Sequence, residues 1–268
     1  MMEKKRLGIM GSGFLSGIVV KAWKDGLLPD YEIVGVLGRN EQTAGELAAE
    51  AGCPACRTLD ELLALKPEYI TEAASVQMVK DSAEKVLSSG CSLVVLSIGA
   101  FADTAFYEKV KETAKENGTK VYIASGAVGG FDVLRTVTLM GEAAEHQRAA
   151  AGIETRKGPK SLMNTPLFEE HLLTDTEETK VFSGNAGDAI SLLPTKVNVA
   201  VASSLATIGP KDTTVQITSV PEFVGDDHKI TAEIPGVKAV VDIYSSTSAI
   251  AGWSMVAVLQ NIVSPIVF

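Results

Sequence analysis

A mostly apolar run over residues 6–10 stops at Gly11-Ser12-Gly13, and a helix-like stretch begins at once with Phe14. No other feature of the chain restricts its fold as much. A strand that turns on two glycines straight into a helix directs the helix's free backbone N–H groups, and the positive end of its dipole, at whatever lies in the turn. A pyrophosphate satisfies both. The spacing agrees with the first two positions of G-x-G-x-x-G/A, with Ser16 in the third place and Gly17 behind it, and Ser16 is small enough for close helix-on-strand packing. The pattern predicts a βαβ unit that holds a dinucleotide through Gly11, Ser12, Gly13 and Phe14. A tight strand-to-helix turn without a ligand is the alternative.

The second strand of such a unit distinguishes the nucleotides. Residues 32–37 read as a buried strand, and in NAD sites the end of this strand carries an Asp or Glu that hydrogen-bonds the adenosine ribose. Gly38-Arg39-Asn40 stands there instead. Without the acid a 2′-phosphate meets no repulsion, and Arg39 offers it a planar, permanent charge. NADP is thus expected at least as readily as NAD, with Arg39 and Asn40 on the cofactor, unless Arg39 is a solvated loop residue.

Helix and strand go on alternating through the first half, as a doubly wound parallel sheet requires. Helices are expected over 41–51, 60–65, 76–88 and 103–117, and strands over 68–73, 91–97 and 120–124. From Arg148 onward the pattern changes to β-like runs such as 181–183 and 213–220, joined by helical 186–193 and 197–208. The fold class is therefore α/β: a Rossmann-type doubly wound parallel sheet over residues 1–124, then a second, α+β domain over 125–245. A chain of 268 residues has room for both. No charge follows Asp242, but Ser245, Ser246, Thr247, Ser248, Gln260, Asn261 and Pro265 interrupt the apolar run too often for a membrane span. Ile250, Trp253, Val256, Ala257 and Gln260 recur at near-helical spacing, so a helix within 246–268 is expected to pack back on the first domain or at a subunit interface.

A net charge of −9 and a pI near 5.0 disfavour nucleic acid and anionic membrane surfaces as partners. No basic segment leading into an apolar stretch and a small-residue cleavage site is present, which points to the cytoplasm. The three cysteines, Cys53, Cys56 and Cys91, are too few for a disulfide framework. Cys53 and Cys56 have C-x-x-C spacing but no second pair of ligands to complete a tetrahedral zinc site, so they read as loop packing and no metal is expected.

Residues 125–132, Ser-Gly-Ala-Val-Gly-Gly-Phe-Asp, follow the carboxyl end of the last parallel strand. Ligands of open α/β sheets bind at such ends, where small residues let backbone N–H groups approach a nicotinamide or a carboxylate; an interdomain hinge would use the same residues. The octapeptide resembles, position by position, the Ser-Gly-Ala-[Ile/Val]-Gly-Gly-x-Asp signature of the L-aspartate dehydrogenases. Residues 100–103 (Ala-Phe-Ala-Asp), 153–162 (ending Lys-Gly-Pro-Lys-Ser-Leu), 181–184 (Val-Phe-Ser-Gly) and 193–200 (Leu-Pro-Thr-Lys-Val-Asn-Val-Ala) resemble further elements of that family in the same order. The last departs from Phe-Pro-x-Asn-x-Asn-Val-Ala by Leu193 for Phe and Lys196 for Asn. The likeness runs along essentially the whole chain.

The family's pattern of a Pro followed by Asn-x-His is similar to Pro221 with Asp226-Asp227-His228, so the resemblance places His228 as the catalytic histidine. Removing hydride from an amino acid leaves an imine, and adding water to it needs a group that takes and gives a proton near neutral pH, as histidine does. His146, in an acidic helix tail, and His171, in a charged loop, read as solvated. Two departures bear on the substrate. Asp226 stands where Asn is usual, which would raise the pKa of His228 and repel a dicarboxylate. The Pro-x-Asn-Pro-x-Thr-Ser element before the last helix is reduced to Ser245-Ser246-Thr247-Ser248, of which Thr247 and Ser248 match.

The resemblance implies NAD(P)-dependent oxidative deamination of L-aspartate through iminoaspartate, or reductive amination of oxaloacetate, connected with NAD biosynthesis. It implies Ala124, Ser125 and Ala127 at the nicotinamide, Val128, Lys160, Asn198 and Thr247 on the substrate, His228 as general acid and base, and a homodimer formed through the second domain. A dehydrogenase or imine reductase for another small amino or oxo acid, and a sensor that binds NADP without turnover, are the open alternatives.

Overall fold

The computed structural model describes residues 3–143, 148–193 and 198–267. By its internal contacts the chain forms two units, Met1–Gly126 with Ala249–Phe268, and Ala127–Ser248.

In the first unit β1 (Lys5–Met10), α1 (Phe14–Lys24), β2 (Tyr31–Leu37), α2 (Glu41–Ala51), β3 (Ala55–Cys56), α3 (Leu59–Ala64), β4 (Tyr69–Glu72), α4 (Val76–Ser88), β5 (Ser92–Val95), α5 (Thr104–Glu116) and β6 (Val121–Ile123) alternate. Neighbouring strands are parallel throughout, in the order β3-β2-β1-β4-β5-β6. This is the doubly wound sheet that the alternation predicts. The strands are apolar along their length because both faces are covered: Leu7, Ile9, Ile70, Leu93 and Val94 are fully buried. Helix starts follow side-chain chemistry, with Asn40, Thr58, Ser75 and Asp103 each accepting a backbone N–H from the first turn of α2, α3, α4 and α5. The strand order reverses between β1 and β4, where the carboxyl ends of the strands leave a crevice.

The C-terminal helix, Ala249–Val263, belongs to this unit and packs against α1. Its buried face is Gly252, Met255, Val256 and Leu259, while Trp253 is 44% exposed, so the stripe is rotated from the one that residues 250–260 suggested. Gly252 explains the rotation: it lets Ile18 of α1 approach to where a Cβ would stand. The Tyr31 hydroxyl donates to the Leu259 carbonyl at 2.7 Å and fixes the helix end.

The second unit contains α6 (Phe131–Ala143), β7 (Ala150–Lys157), α7 (Pro159–Leu162), β8 (Thr179–Asn185), α8 (Ala186–Leu192), α9 (Asn198–Leu205), β9 (Thr214–Ser219), β10 (Asp226–Ile234) and β11 (Val237–Ser245). The strands form one mixed sheet, β11-β10-β7-β9-β8, in which β7 and β9 are parallel and the other neighbours antiparallel. One face is buried through Ile153, Val215, Ile217, Ile230 and Ala232, and the other carries Glu154, Lys229, Glu233 and Asp242. The hairpin of β10 and β11 turns on Pro235-Gly236, with Gly236 at φ +85. Glycine tolerates that conformation without the Cβ penalty.

Candidate active site

The glycine turn of the first unit has the geometry of a phosphate cradle. Gly11 sits at φ +113, and a Cβ there would lie 2.6 Å from the carbonyl oxygen of Ala73, so only glycine fits. Gly13 is the N-cap of α1 and, among the described residues, no side chain caps this helix as others cap α2 to α5. A Cβ on Gly13 would meet nothing within 4 Å. The first amides of α1 are thus left for a ligand in open space, beside the buried Ser16 that seats the helix and the exposed Phe14. These residues fit a dinucleotide.

Gly38, at the end of β2, abuts Ser12, whose hydroxyl is 2.8 Å from that of Thr43. Beyond it, Arg39 is exposed and lines a groove of about 480 Å³ together with Arg57, a residue that no sequence pattern singled out. Arg57 Nε lies 3.6 Å from a Glu41 carboxylate oxygen. Asn40 is committed in part to structure, its Oδ1 accepting the Thr43 N–H at 3.1 Å.

Residues 125–132 span the boundary of the two units. Ala124 is buried, its N–H bonded to Val95 at 3.0 Å; Ser125 is half-buried; Gly126, at φ +66, donates its N–H to the Ser254 hydroxyl at 3.0 Å. Ala127 and the buried Val128 open the second unit. Gly130 sits at φ +65 with Val241 Cγ2 2.5 Å from where a Cβ would be, and Gly129 lies over Ile243. The glycines of the octapeptide therefore seat the chain on β11, and Ile243 is the strand partner of His228.

His228 is on β10, 3% exposed, with Nδ1 2.9 Å from the Thr155 hydroxyl, directly across on β7. Two residues along, the next cross-strand pair is Asp226 with Lys157, Oδ1 to Nζ 3.0 Å, close enough for an ion pair though not aligned as a hydrogen bond. The alternation of strand residues puts all four side chains on one face. Burial pushes the His228 pKa down to about 4, against the raising influence of Asp226 and with the lowering one of Lys157. The expectation that Asp226 leaves this histidine more basic than usual is thereby corrected: the carboxylate acts in that direction, but its charge is shared with Lys157 and desolvation outweighs it.

A cavity of about 20 Å³, the size of one water, is lined by Thr155, Lys157, Ser161 and His228 and, from α9, by Val199 and Ala200. Asn198 is the first residue of that helix. Lys160 is not in this cluster. It is exposed and lines a separate depression with Phe223 and Val224, because Pro159 starts a short helix that turns the chain after Lys157. Lys157 was not singled out from the sequence, since only the register of β7 against β10 places it beside His228 and Asp226. Thr247 is exposed, and the shortened segment before it lies at the Asp226 end of β10, where Ser245 and Ser246 press on Gly225.

His171 is exposed and bonded to Asp175 and Glu169, its pKa raised mainly by Asp175. His146, and Lys196 with its neighbours at 194–197, lie outside the described residues. The three cysteines are free thiols; burial lifts Cys53 to about 11 and Cys91 to about 12, which makes them inert packing residues rather than a redox pair. Among the described residues there is no cluster of metal-ligating side chains, and no helix is long and apolar enough to cross a membrane.

The two units match two known sequence families. Residues 7–124 match the one described as homoserine dehydrogenase, NAD binding domain, and residues 140–262 the one described as aspartate dehydrogenase, C-terminal. The chain is 32% identical to an L-aspartate dehydrogenase of Methanococcus maripaludis over 97% of its own length and 98% of the relative's, and 31% identical to one of Methanosarcina mazei over the same shares. Among solved structures it is similar to an aspartate dehydrogenase of Thermotoga maritima, with a TM-score of 0.78 at 23% identity over 99% of this chain and 100% of that one. An amine dehydrogenase of Mycobacterium smegmatis shares the fold more loosely, with a TM-score of 0.59 at 12% identity over 98% of this chain and 93% of that one. Two units in the same order, matched from end to end at this level of identity, leave one assignment: the chain belongs to the L-aspartate dehydrogenase family.

Proposed function

We propose that this protein oxidises L-aspartate to iminoaspartate with NADP or NAD, that water converts the imine to oxaloacetate and ammonia, and that the same site runs the reverse amination, in a cytoplasmic homodimer. The observation that carries the reading is the row Thr155–His228 and Lys157–Asp226 on one sheet face, in the unit that matches the aspartate dehydrogenase C-terminal family. Gly11, Ser12, Gly13 and Phe14 would hold the pyrophosphate, Arg39 and Asn40 the adenosine end, and Ala124, Ser125 and Ala127 the nicotinamide. The dinucleotide, when bound, accepts the hydride from the substrate's α-carbon or returns it. The chain's own part is proton transfer and orientation. Thr155 fixes the imidazole through Nδ1, which leaves Nε2 to take a proton from the water that adds to the imine carbon and to give it to the departing ammonia. A histidine kept neutral by burial is in the basic form that the first of these steps needs. Val128, Asn198 and Thr247 are candidate contacts for the substrate. Lys157, rather than Lys160, is placed to meet a carboxylate, in exchange for Asp226.

The test is oxidation of reduced nicotinamide by purified protein with both cofactors, ammonia and a panel of oxo acids, together with size-exclusion chromatography for the dimer. Oxaloacetate is expected to be the best substrate, and His228→Ala to lose about a hundredfold or more in turnover while still binding dinucleotide. Faster turnover of a monocarboxylic oxo acid would favour the second reading, to which the pairing of Lys157 with Asp226 lends support. Dinucleotide binding without turnover would indicate a sensor.

A further inference from the structure

Glu72, the last residue of β4, is completely buried, and among the described residues no cation pairs with it. Its Oε1 accepts the backbone N–H groups of Ala74 at 2.7 Å and Ser75 at 3.0 Å and the hydroxyl of Ser97 at 2.8 Å, while Oε2 accepts the Ser97 N–H at 3.0 Å. All four partners are donors. Burial raises the pKa of the group, and the four hydrogen bonds oppose that rise. A charge with no counter-ion is costly inside a protein, and a fold that only needed packing here would fill the place with an apolar side chain.

The location indicates what the charge does. Ala74 and Ser75 form the turn between β4 and α4, and Ser97 follows β5, so one side chain ties together the carboxyl ends of two adjacent strands. The tie continues into the glycine turn, because the Ala73 N–H donates to the Met10 carbonyl at 2.9 Å and the Ala73 carbonyl occupies the space that a side chain on residue 11 would need. We propose that Glu72 is a positioning residue for the dinucleotide, holding the turns after β4 and β5 in register with the Gly11 turn so that the cradle is formed before the cofactor arrives. This rests on the nucleotide reading given above. Preorganised donors and turns cost nothing to order at the moment of binding.

Glu72→Gln keeps the size and one acceptor oxygen but turns an amide N–H against the N–H of Ser97. With the full-length protein, this variant is expected to raise the dinucleotide Kd, read by reduced-nicotinamide fluorescence, and its KM about tenfold or more, with the KM of the oxo acid within about threefold. A lower Tm with both KM values and the dinucleotide Kd unchanged would mean a merely structural role and overturn the proposal. If Glu72→Gln does not fold, Ser97→Ala decides: loss of the hydroxyl alone is expected to raise the dinucleotide Kd about threefold or more, and an unchanged Kd overturns the proposal. Failure of the unsubstituted protein to bind either dinucleotide would remove the nucleotide reading and this proposal together, whereas normal binding by both the parent and Glu72→Gln would remove this proposal alone.

Discussion

The buried imidazole of His228 makes the stability of this protein depend on pH in a direction and amount that can be worked out. The folded pKa is about 4 against an ordinary 6.5, so over that interval the unfolded chain binds a proton that the folded chain refuses. A group whose folded pKa is depressed contributes stability that is present above the unfolded pKa and lost as pH falls through the window towards the folded one. A difference of about 2.5 units amounts to about 3.4 kcal/mol when fully expressed, and roughly three quarters of it, about 2.5 kcal/mol, is lost between pH 7.5 and 4.5. Other groups titrate in the same range, so the measurement is a difference. Urea unfolding of the parent and of His228→Gln at the two pH values should show the parent losing about 2.5 kcal/mol more than the variant. Imidazole NMR should place the His228 titration well below those of exposed histidines. A differential loss under about 0.5 kcal/mol, or a titration near the ordinary value, would refute the argument that desolvation dominates at this site.

Arg39→Asp should weaken NADPH binding about tenfold or more and NADH far less, by removing a charge-assisted contact and adding repulsion; equal losses measured by fluorescence titration would take Arg39 off the 2′-phosphate. Asp226→Asn removes the one influence that raises His228 and releases Lys157, so the basic limb of kcat/KM against pH should move down and the preference for oxaloacetate over monocarboxylic oxo acids should grow; an unchanged profile and preference would place Asp226 outside the reaction. Gly11→Ala combines a left-handed φ with a backbone oxygen in the way of the new Cβ, and should cost about 2 kcal/mol in unfolding experiments together with most dinucleotide affinity; a variant with parental Tm and Kd would show that the turn is slack.

The first unit was legible residue by residue because its signals are local. Hydrophobic runs, helix caps such as Ser75 and Asp103, and the Gly11-Ser12-Gly13 turn each act within a few positions, and the helix over 76–88 is found at those bounds. The C-terminal helix was visible as a helix, yet its buried face was not, because a close approach at Gly252 depends on Ile18 from more than two hundred residues earlier. His228 was found only through a resemblance to a family. Strand periodicity puts Asp226 and His228 on one face, but the partners that give them meaning, Lys157 and Thr155, are supplied by the antiparallel register of β10 on β7. Tertiary structure also decided the charge state. From sequence, a histidine two residues from an aspartate should be more basic than usual; buried under α9, it is less so, because desolvation depends on what covers a side chain and not on what precedes it in the chain.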